Sequence, residues 1–306
     1  MDKKIPNIYI KSIKIQNFNR IENFECKIKR QIVIVQDDSN SQYSKDLIDA
    51  IKWCFCLKST GECFENVLKS EKISVKLTAK CGAGDVTFYK ELCKGKEKYI
   101  VSRTRQDFKN YRRICEALYD LVAADLFFIS EDDKYKNIKK LISECAIKSI
   151  DNKSIITEEP KEEVDNELKL QASVIKTNDN TELVFDKKFD AHFVNENRNI
   201  SLTKYSETEE KLRAYYSKLV WNKVITKLSK INIDDAIYPI NRPPVFFDNI
   251  HSIFDEKQIE ILYENIFNLL INIPNPYQVF IVDSKEIVNE ILSKKSNNIV
   301  VINLKD

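Results

Sequence analysis

The sequence predicts an α/β fold, with an N-terminal β-rich lobe and a C-terminal lobe built on a parallel sheet. Three observations predict it. Alternating runs crowd the first hundred residues: IYIKSIKI, FECKIK, ISVKLTAK, DVTFYKEL and KYIVSR. Such alternation marks half-buried strands of an antiparallel sheet. Continuous apolar runs, IVIV, LFFIS, VFF and VFIV, suit strands buried on both faces. In the second half these alternate with amphipathic helical stretches, and β-α-β order implies parallel pairing.

Taken in order, residues 7–35 read as three strands, the last being IVIV. A helix follows, with Leu47, Ile48, Ile51, Cys54 and Phe55 at helical spacing and Ser44 or Asp46 as its cap. Three antiparallel strands span 73–103. Residues 108–122 read as a helix, 126–130 as a buried strand, and a further helix starts at Lys134. Residues 151–170 are polar, carry one proline and lack periodicity, which predicts a linker. ELVFD and AHFV are short strands. The helix from about Ser206 to Ile231 presents Leu212, Tyr215, Tyr216, Leu219, Val220, Val224 and Leu228 on one face. A strand and turn at 243–255, an amphipathic helix at 256–273, and the strands YQVFIVD and NIVVINL complete the chain. The boundaries expected are 1–150 for the N-terminal lobe, 151–180 for the linker and 181–306 for the C-terminal lobe.

Composition narrows the class. The chain is 43% hydrophobic and 31% charged, ordinary for a soluble globular protein. A net charge of +2 argues against a strongly basic nucleic-acid binder, though local clusters remain open. No apolar run is long enough to span a membrane, and the N-terminus lacks a signal-peptide core, so a cytoplasmic protein is expected. The eight cysteines form no C-x-x-C pair and the only histidines are His192 and His251, so zinc-ligand spacing is absent. They read as reduced packing residues.

Residues 31–51 form a strand, a polar loop and a helix, the layout of a phosphate-cradling P-loop. The positions of G-x-x-x-x-G-K-[ST] hold Asp38, Ser39, Asn40, Ser41, Gln42, Tyr43, Ser44 and Lys45. Both glycines are missing, and Ser44 stands where the lysine belongs. The chain's four glycines, Gly61, Gly82, Gly84 and Gly95, all lie elsewhere. Glycines let consecutive backbone N–H groups point at a phosphate. Tyr43 would crowd that cradle, and Asp37 and Asp38 would repel a polyanion. At ~4 Å and an effective dielectric of ~20, each like-charge contact costs on the order of 4 kcal/mol. Sliding the register by one residue places Lys45 on the lysine but puts Asp46 in place of the serine and Ser44 in place of the glycine.

Several islands, in order, resemble the head of an SMC/RecN/SbcC-type ABC ATPase, most closely the DndD-like proteins. IYIKSIKIQNFNRIENFECKI resembles the opening strands. IVIVQDDSNSQYSKDLIDAIKWCF resembles the P-loop and its helix, and LFFISEDD the Q-loop region. SETEEKLRAYYSKL sits where the signature helix begins. PVFFDNIHSIFD resembles the Walker B strand and D-loop, and QVFIVDSKEI the final strand and switch-histidine segment. The resemblance implies that 31–35, 244–248 and 278–282 share one sheet. It also implies that the P-loop and Walker B strands are neighbours and that Asp248 faces loop 37–45.

The resemblance also marks what is missing. Asp248 matches the magnesium-holding Walker B aspartate, but Asn249 replaces the general-base carboxylate, and an amide cannot take a proton from water at neutral pH. Thr208 replaces the signature glycine in Ser206, Glu207, Thr208, Glu209. Ser284, or Asp283, replaces the switch histidine, while Ser252 and Asp255 of the D-loop remain. No heptads mark the place of the family's long coiled coil. The resemblance therefore implies a compact head with a vestigial nucleotide site at Asp38, Asn40, Tyr43, Ser44, Lys45, Asp248 and Asn249. No bound cofactor or metal is expected.

Residues 94–113 concentrate Lys94, Lys96, Lys98, Arg103, Arg105, Lys109, Arg112 and Arg113, interleaved with Tyr99, Phe108 and Tyr111. They suit DNA phosphates or an acidic partner, or else form a solvated face. Trp53 and Trp221 read as core, and His251 beside the former site is weak evidence of catalysis. The sequence thus points to a non-catalytic, SMC-like subunit of a DNA-processing or anti-phage defence complex. Its expected partner is a true ATPase head or a nuclease, with DNA contact open. A divergent, active DNA-dependent ATPase and a nucleotide-independent DNA-binding module stand as alternatives.

Overall fold

The computed structural model describes residues 8–37, 42–55, 72–81, 84–103, 126–140, 159–177, 181–195, 204–228, 230–233, 236–239, 242–282 and 286–304. The helix expected at 108–122 lies outside them.

Two five-stranded sheets carry the fold. The first is antiparallel and uses β1 (Ile8–Phe18), β2 (Ile21–Lys27), β4 (Lys72–Cys81), β5 (Gly84–Cys93) and β6 (Lys96–Arg103), in the order β2-β1-β4-β5-β6. Along β1 the inward residues Ile8, Ile10, Ile13, Ile15 and Phe18 are buried while Lys11 and Lys14 face solvent. Lys94 and Gly95, both with positive φ, make the two-residue β5–β6 turn, the geometry that matches strand twist.

The second sheet is parallel and takes strands from both halves of the chain. It comprises β3 (Ile32–Asp37), β7 (Phe128–Ser130), β12 (Val245–Asp248), β13 (Val279–Val282) and β14 (Ile299–Leu304), ordered β14-β3-β13-β12-β7. The three segments expected to share a sheet do so. The expectation that β3 and β12 are direct neighbours is corrected, because β13 lies between them.

The buried side chain of Gln278 ties the two sheets together, accepting from the Ile10 N–H (2.7 Å) and donating to the Ile10 carbonyl (3.0 Å) where β1 has no β2 partner. α1 (Gln42–Phe55) packs against both sheets, burying Leu47, Ile51, Trp53 and Cys54.

Ser44 and Asp46 do not cap α1 as expected, because the helix already starts at Gln42. Ser44 is buried inside it, and Asp46 accepts bonds from Asn19 and Arg20 of the β1–β2 turn. The linker reading is likewise corrected over Glu159–Ala172, which forms α2. Over residues 162–172 of this polar helix, Val164, Leu168 and Ala172 are the buried apolar residues, too few to register as periodicity. Strands β8 (Glu182–Phe185) and β9 (Ala191–Val194) pair as a hairpin. The predicted long helix is α3 (Glu207–Leu228). A second hairpin of β10 (Lys230–Ile233) and β11 (Ala236–Pro239) follows it. α4 (Glu256–Ile266) runs into a π-helical turn at Phe267–Ile271, and α5 (Glu286–Lys295) leads to β14. Trp53 and Trp221 are both core residues.

Candidate functional site

Parallel strands place their carboxyl ends together, and α/β sheets bind ligands at that end. Here that end carries Asp248, last residue of β12, with Ser130 of β7 directly across from it. Residues 131–133 therefore emerge beside Asp248. A cavity of about 480 Å³ opens between α1, β7 and β12, lined by Lys45, Asp49, Lys52, Ser130, Asp132 and Asp248 among others. Lys45 and Asp248 thus face one space; residues 38–41 of the loop expected to face Asp248 lie outside the described residues. Asp38 and Asn40 lie outside the described residues. Tyr43 packs partly buried against the core, and Ser44 is buried.

The cavity is rich in carboxylates. Burial pushes Asp248 up to about 6, and Asp49, Glu131 and Asp132 add to the rise against the opposing pull of Lys45. Burial also raises Asp49. Lys45 feels burial in the opposite sense, but Asp132, Asp49 and Asp248 outweigh it and hold its amine above the usual range. Its ion pair with Asp132 spans 3.3 Å and both side chains are exposed.

Asn249 adopts a left-handed backbone (φ 50°), which asparagine tolerates better than most residues. Its N–H bonds the Val282 carbonyl at 3.1 Å, and its Nδ2 donates to Glu131 Oε2 at 2.8 Å. Sequence reasoning missed Glu131, Asp132 and Asp49 as site residues. The EDD string after LFFIS is the signal that bore on Glu131 and Asp132, and it acquires meaning only from the β7–β12 pairing; Asp49, inside α1, carried none.

α3 holds this acidic loop. Lys218 Nζ donates to both oxygens of Asp133 (2.6 Å each) and to the Phe128 carbonyl (2.7 Å), while Lys211 Nζ bonds the Glu131 carbonyl. The Ser206–Glu209 segment is a capping box. Glu209 N–H donates to Ser206 Oγ at 3.2 Å, and Ser206 N–H donates to Glu209 Oε2 at 2.8 Å. The S-x-x-E spacing here starts a helix. Asp255 caps α4 in the same way with Gln258. The switch-histidine positions Asp283 and Ser284 lie outside the described residues.

Carboxylates and a histidine also meet at Asp186, Asp190 and His192, whose ligand atoms lie within 4.8 Å of one another. Asp190 is already engaged by Tyr135 (2.5 Å), Lys139 and Arg213 (3.6 Å). The Arg213 guanidinium stacks 3.9 Å from the rings of both Tyr135 and Tyr205. This network reads as a structural clasp between α3, the β8–β9 hairpin and the helix at 135–140.

In the basic segment, Lys94, Lys96 and Lys98 are exposed on the β5–β6 hairpin, and Arg103 ends β6. Arg105, Lys109, Arg112 and Arg113 lie outside the described residues. Among the described residues, no helix is long and apolar enough to cross a membrane.

Comparison with solved structures fits this geometry. The SMC head domain from Thermotoga maritima superposes with a TM-score of 0.53 at 14% identity, covering 97% of this chain and 95% of that one. The ATPrS-bound recombination mediator protein RecF gives 0.54 at 11% identity, covering 98% and 97%. Its ATP-bound form gives 0.52 at 11% identity, covering 94% of each. The fold is that of an SMC/RecF-type ABC ATPase head. No family model matches the chain, and no curated protein matches it in sequence. The likeness is therefore one of fold, which the sequence comparisons do not detect.

Proposed function

We propose that this chain is a non-hydrolysing ATPase-like head, acting as a binding or scaffold subunit of a DNA-processing complex, with anti-phage defence as its setting. The observation that carries the reading is the Asn249 amide. It stands where the resemblance puts the general base, donates to Glu131, and cannot accept a proton from water. The carboxylates around Asp248 support it, since each disfavours a polyphosphate in the same space. Partners suited to such a head are an active ATPase head or a nuclease subunit, with DNA contact through Lys94, Lys96, Lys98 and Arg103.

One observation favours the alternative of a divergent ATPase: Lys45 lines the cavity that Asp248 enters. Phosphate release from purified protein with magnesium-ATP, with and without DNA, separates the two. The proposed reading expects background release throughout. Turnover that disappears in Asp248→Ala would assign the activity to this site and end the reading.

A further inference from the structure

At the amino ends of β12 and β13, opposite the Asp248 cavity, a second charged cluster surrounds Tyr277. The Tyr277 ring is buried and rigidly held. Its hydroxyl lies 2.6 Å from Thr226 Oγ1, its N–H bonds the Leu270 carbonyl at 2.8 Å, and its carbonyl accepts from Gln31 at 3.0 Å. Two cations lie on it: the Lys223 amine 5.7 Å and the Arg242 guanidinium 5.4 Å from the ring centre.

Neither cation has a carboxylate ion partner among the described residues. Arg242 Nη1 donates to the carbonyls of Asn275 (2.8 Å) and Pro274 (3.3 Å), and its buried Nε has no hydrogen-bond partner. The carboxylate that acts on Lys223 is Glu167, which is already ion-paired with Lys227 and accepts from Gln171 at 2.7 Å. Among the described residues, Lys223 and Lys227 therefore share one acid. Burial, then Arg242, then Lys227 lower the Lys223 amine to about 8, against the partial opposition of Glu167. Two half-buried cations with no carboxylate ion pair of their own among the described residues are costly to hold, and an anion bound by both offsets the cost.

We propose that Lys223 and Arg242, with Lys227 at the rim, bind an oxyanion of the phosphate class. A planar guanidinium whose Nε–H has no protein partner, and an ammonium packed on the same tyrosine ring, supply charge-assisted donors to a tetrahedral oxyanion. The site lies at the far end of the sheet from Asp248, so it stands or falls independently of the non-hydrolysing reading.

The test is competitive acetylation of the native protein over a range of pH, read at Lys223 by mass spectrometry. Inorganic phosphate is the first probe, with chloride of equal ionic strength as control. Phosphate should raise the Lys223 pKa by about one unit, which lowers the reactive amine about tenfold below that pH. The shift should vanish in Arg242→Gln. Because Arg242 also braces the 274–275 turn, Lys223→Met provides a second reading: the phosphate-induced rise in Tm of the parent should be lost in this variant. A short single-stranded oligonucleotide at equal phosphate concentration separates the sources. Protection by both probes makes free phosphate sufficient, and protection by the oligonucleotide alone assigns a phosphodiester. Phosphate and oligonucleotide that protect no better than chloride overturn the proposal.

Discussion

The parallel sheet is acidic at one end and basic at the other, and the same physics acts on both with opposite sign. At the carboxyl ends, burial and neighbouring carboxylates make Asp248 harder to ionise. At the amino ends, burial and neighbouring cations make Lys223 easier to deprotonate. Each end therefore holds a charge that weakens the fold near neutral pH and that a ligand of opposite charge would relieve. α3 spans the distance between them. Lys211 and Lys218 hold the acidic loop, and Lys223 and Lys227 sit at the basic end. A helix of its 22 residues is about 33 Å long.

The largest expected effect is on the link between α3 and the acidic end. Lys218→Met leaves Asp133 half-buried without its cation and the Phe128 carbonyl without its donor. Breaking a buried pair costs about 3–5 kcal/mol, so urea unfolding should show a loss of that order. Adding Asp133→Leu should recover much of it. A loss below about 1 kcal/mol, the range of surface pairs, would mean that α3 does not anchor the loop through this pair.

The next two predictions probe the ends themselves. The folded pKa of Asp248, about 6, lies above its ordinary 3.8. The folded state thus keeps a proton that the unfolded state has lost between those values. Stability contributed by this group falls as pH rises through about 4 to 6, and the loss is complete above that window. Asp248→Asn should then stabilise the protein at pH 7 by up to about 3 kcal/mol and flatten the slope in that window. Lys223 mirrors this. Its folded pKa, about 8, lies below its ordinary 10.5, so the unfolded state binds more protons between them and stability rises with pH there. Lys223→Met should stabilise at pH 7 by about 1–3 kcal/mol and remove that rise. If either substitution destabilises at pH 7, the comparison of the two ends fails at that end.

Much of the scaffold is legible in the sequence, because IVIV, VFFD and VFIV are apolar on both faces and only a covered parallel sheet buries both. Asp248 is legible too, since it ends such a strand. The partners of these groups are not. Glu131 and Asp132 reach Asp248 only through the β7–β12 register, and Arg242 reaches Lys223 only because both pack on Tyr277. α2 escaped notice because three buried apolar residues, Val164, Leu168 and Ala172, carry its packing while an Asp165–Lys169 pair and other charges cover the rest. The helix start at Gln42 was missed for a related reason. Ser44 and Asp46 are good caps by type, yet both are drawn into the helix by burial and by the β1–β2 turn.

The smallest expected effect is at Lys45, and it tests what the acidic end is for. Its pair with Asp132 is exposed on both sides, so Lys45→Ala should change stability by less than about 1 kcal/mol at pH 7. Its influence on Asp248 is of another kind, because it is the cation that opposes the carboxylates around that group. Removing it should move the Asp248 titration further up, visible by carboxyl NMR as a higher midpoint, while unfolding barely changes. An unmoved midpoint would place Lys45 electrically outside the site. A small stability change together with loss of magnesium-dependent ATP binding would instead identify Lys45 as a working phosphate ligand and favour the divergent-ATPase reading.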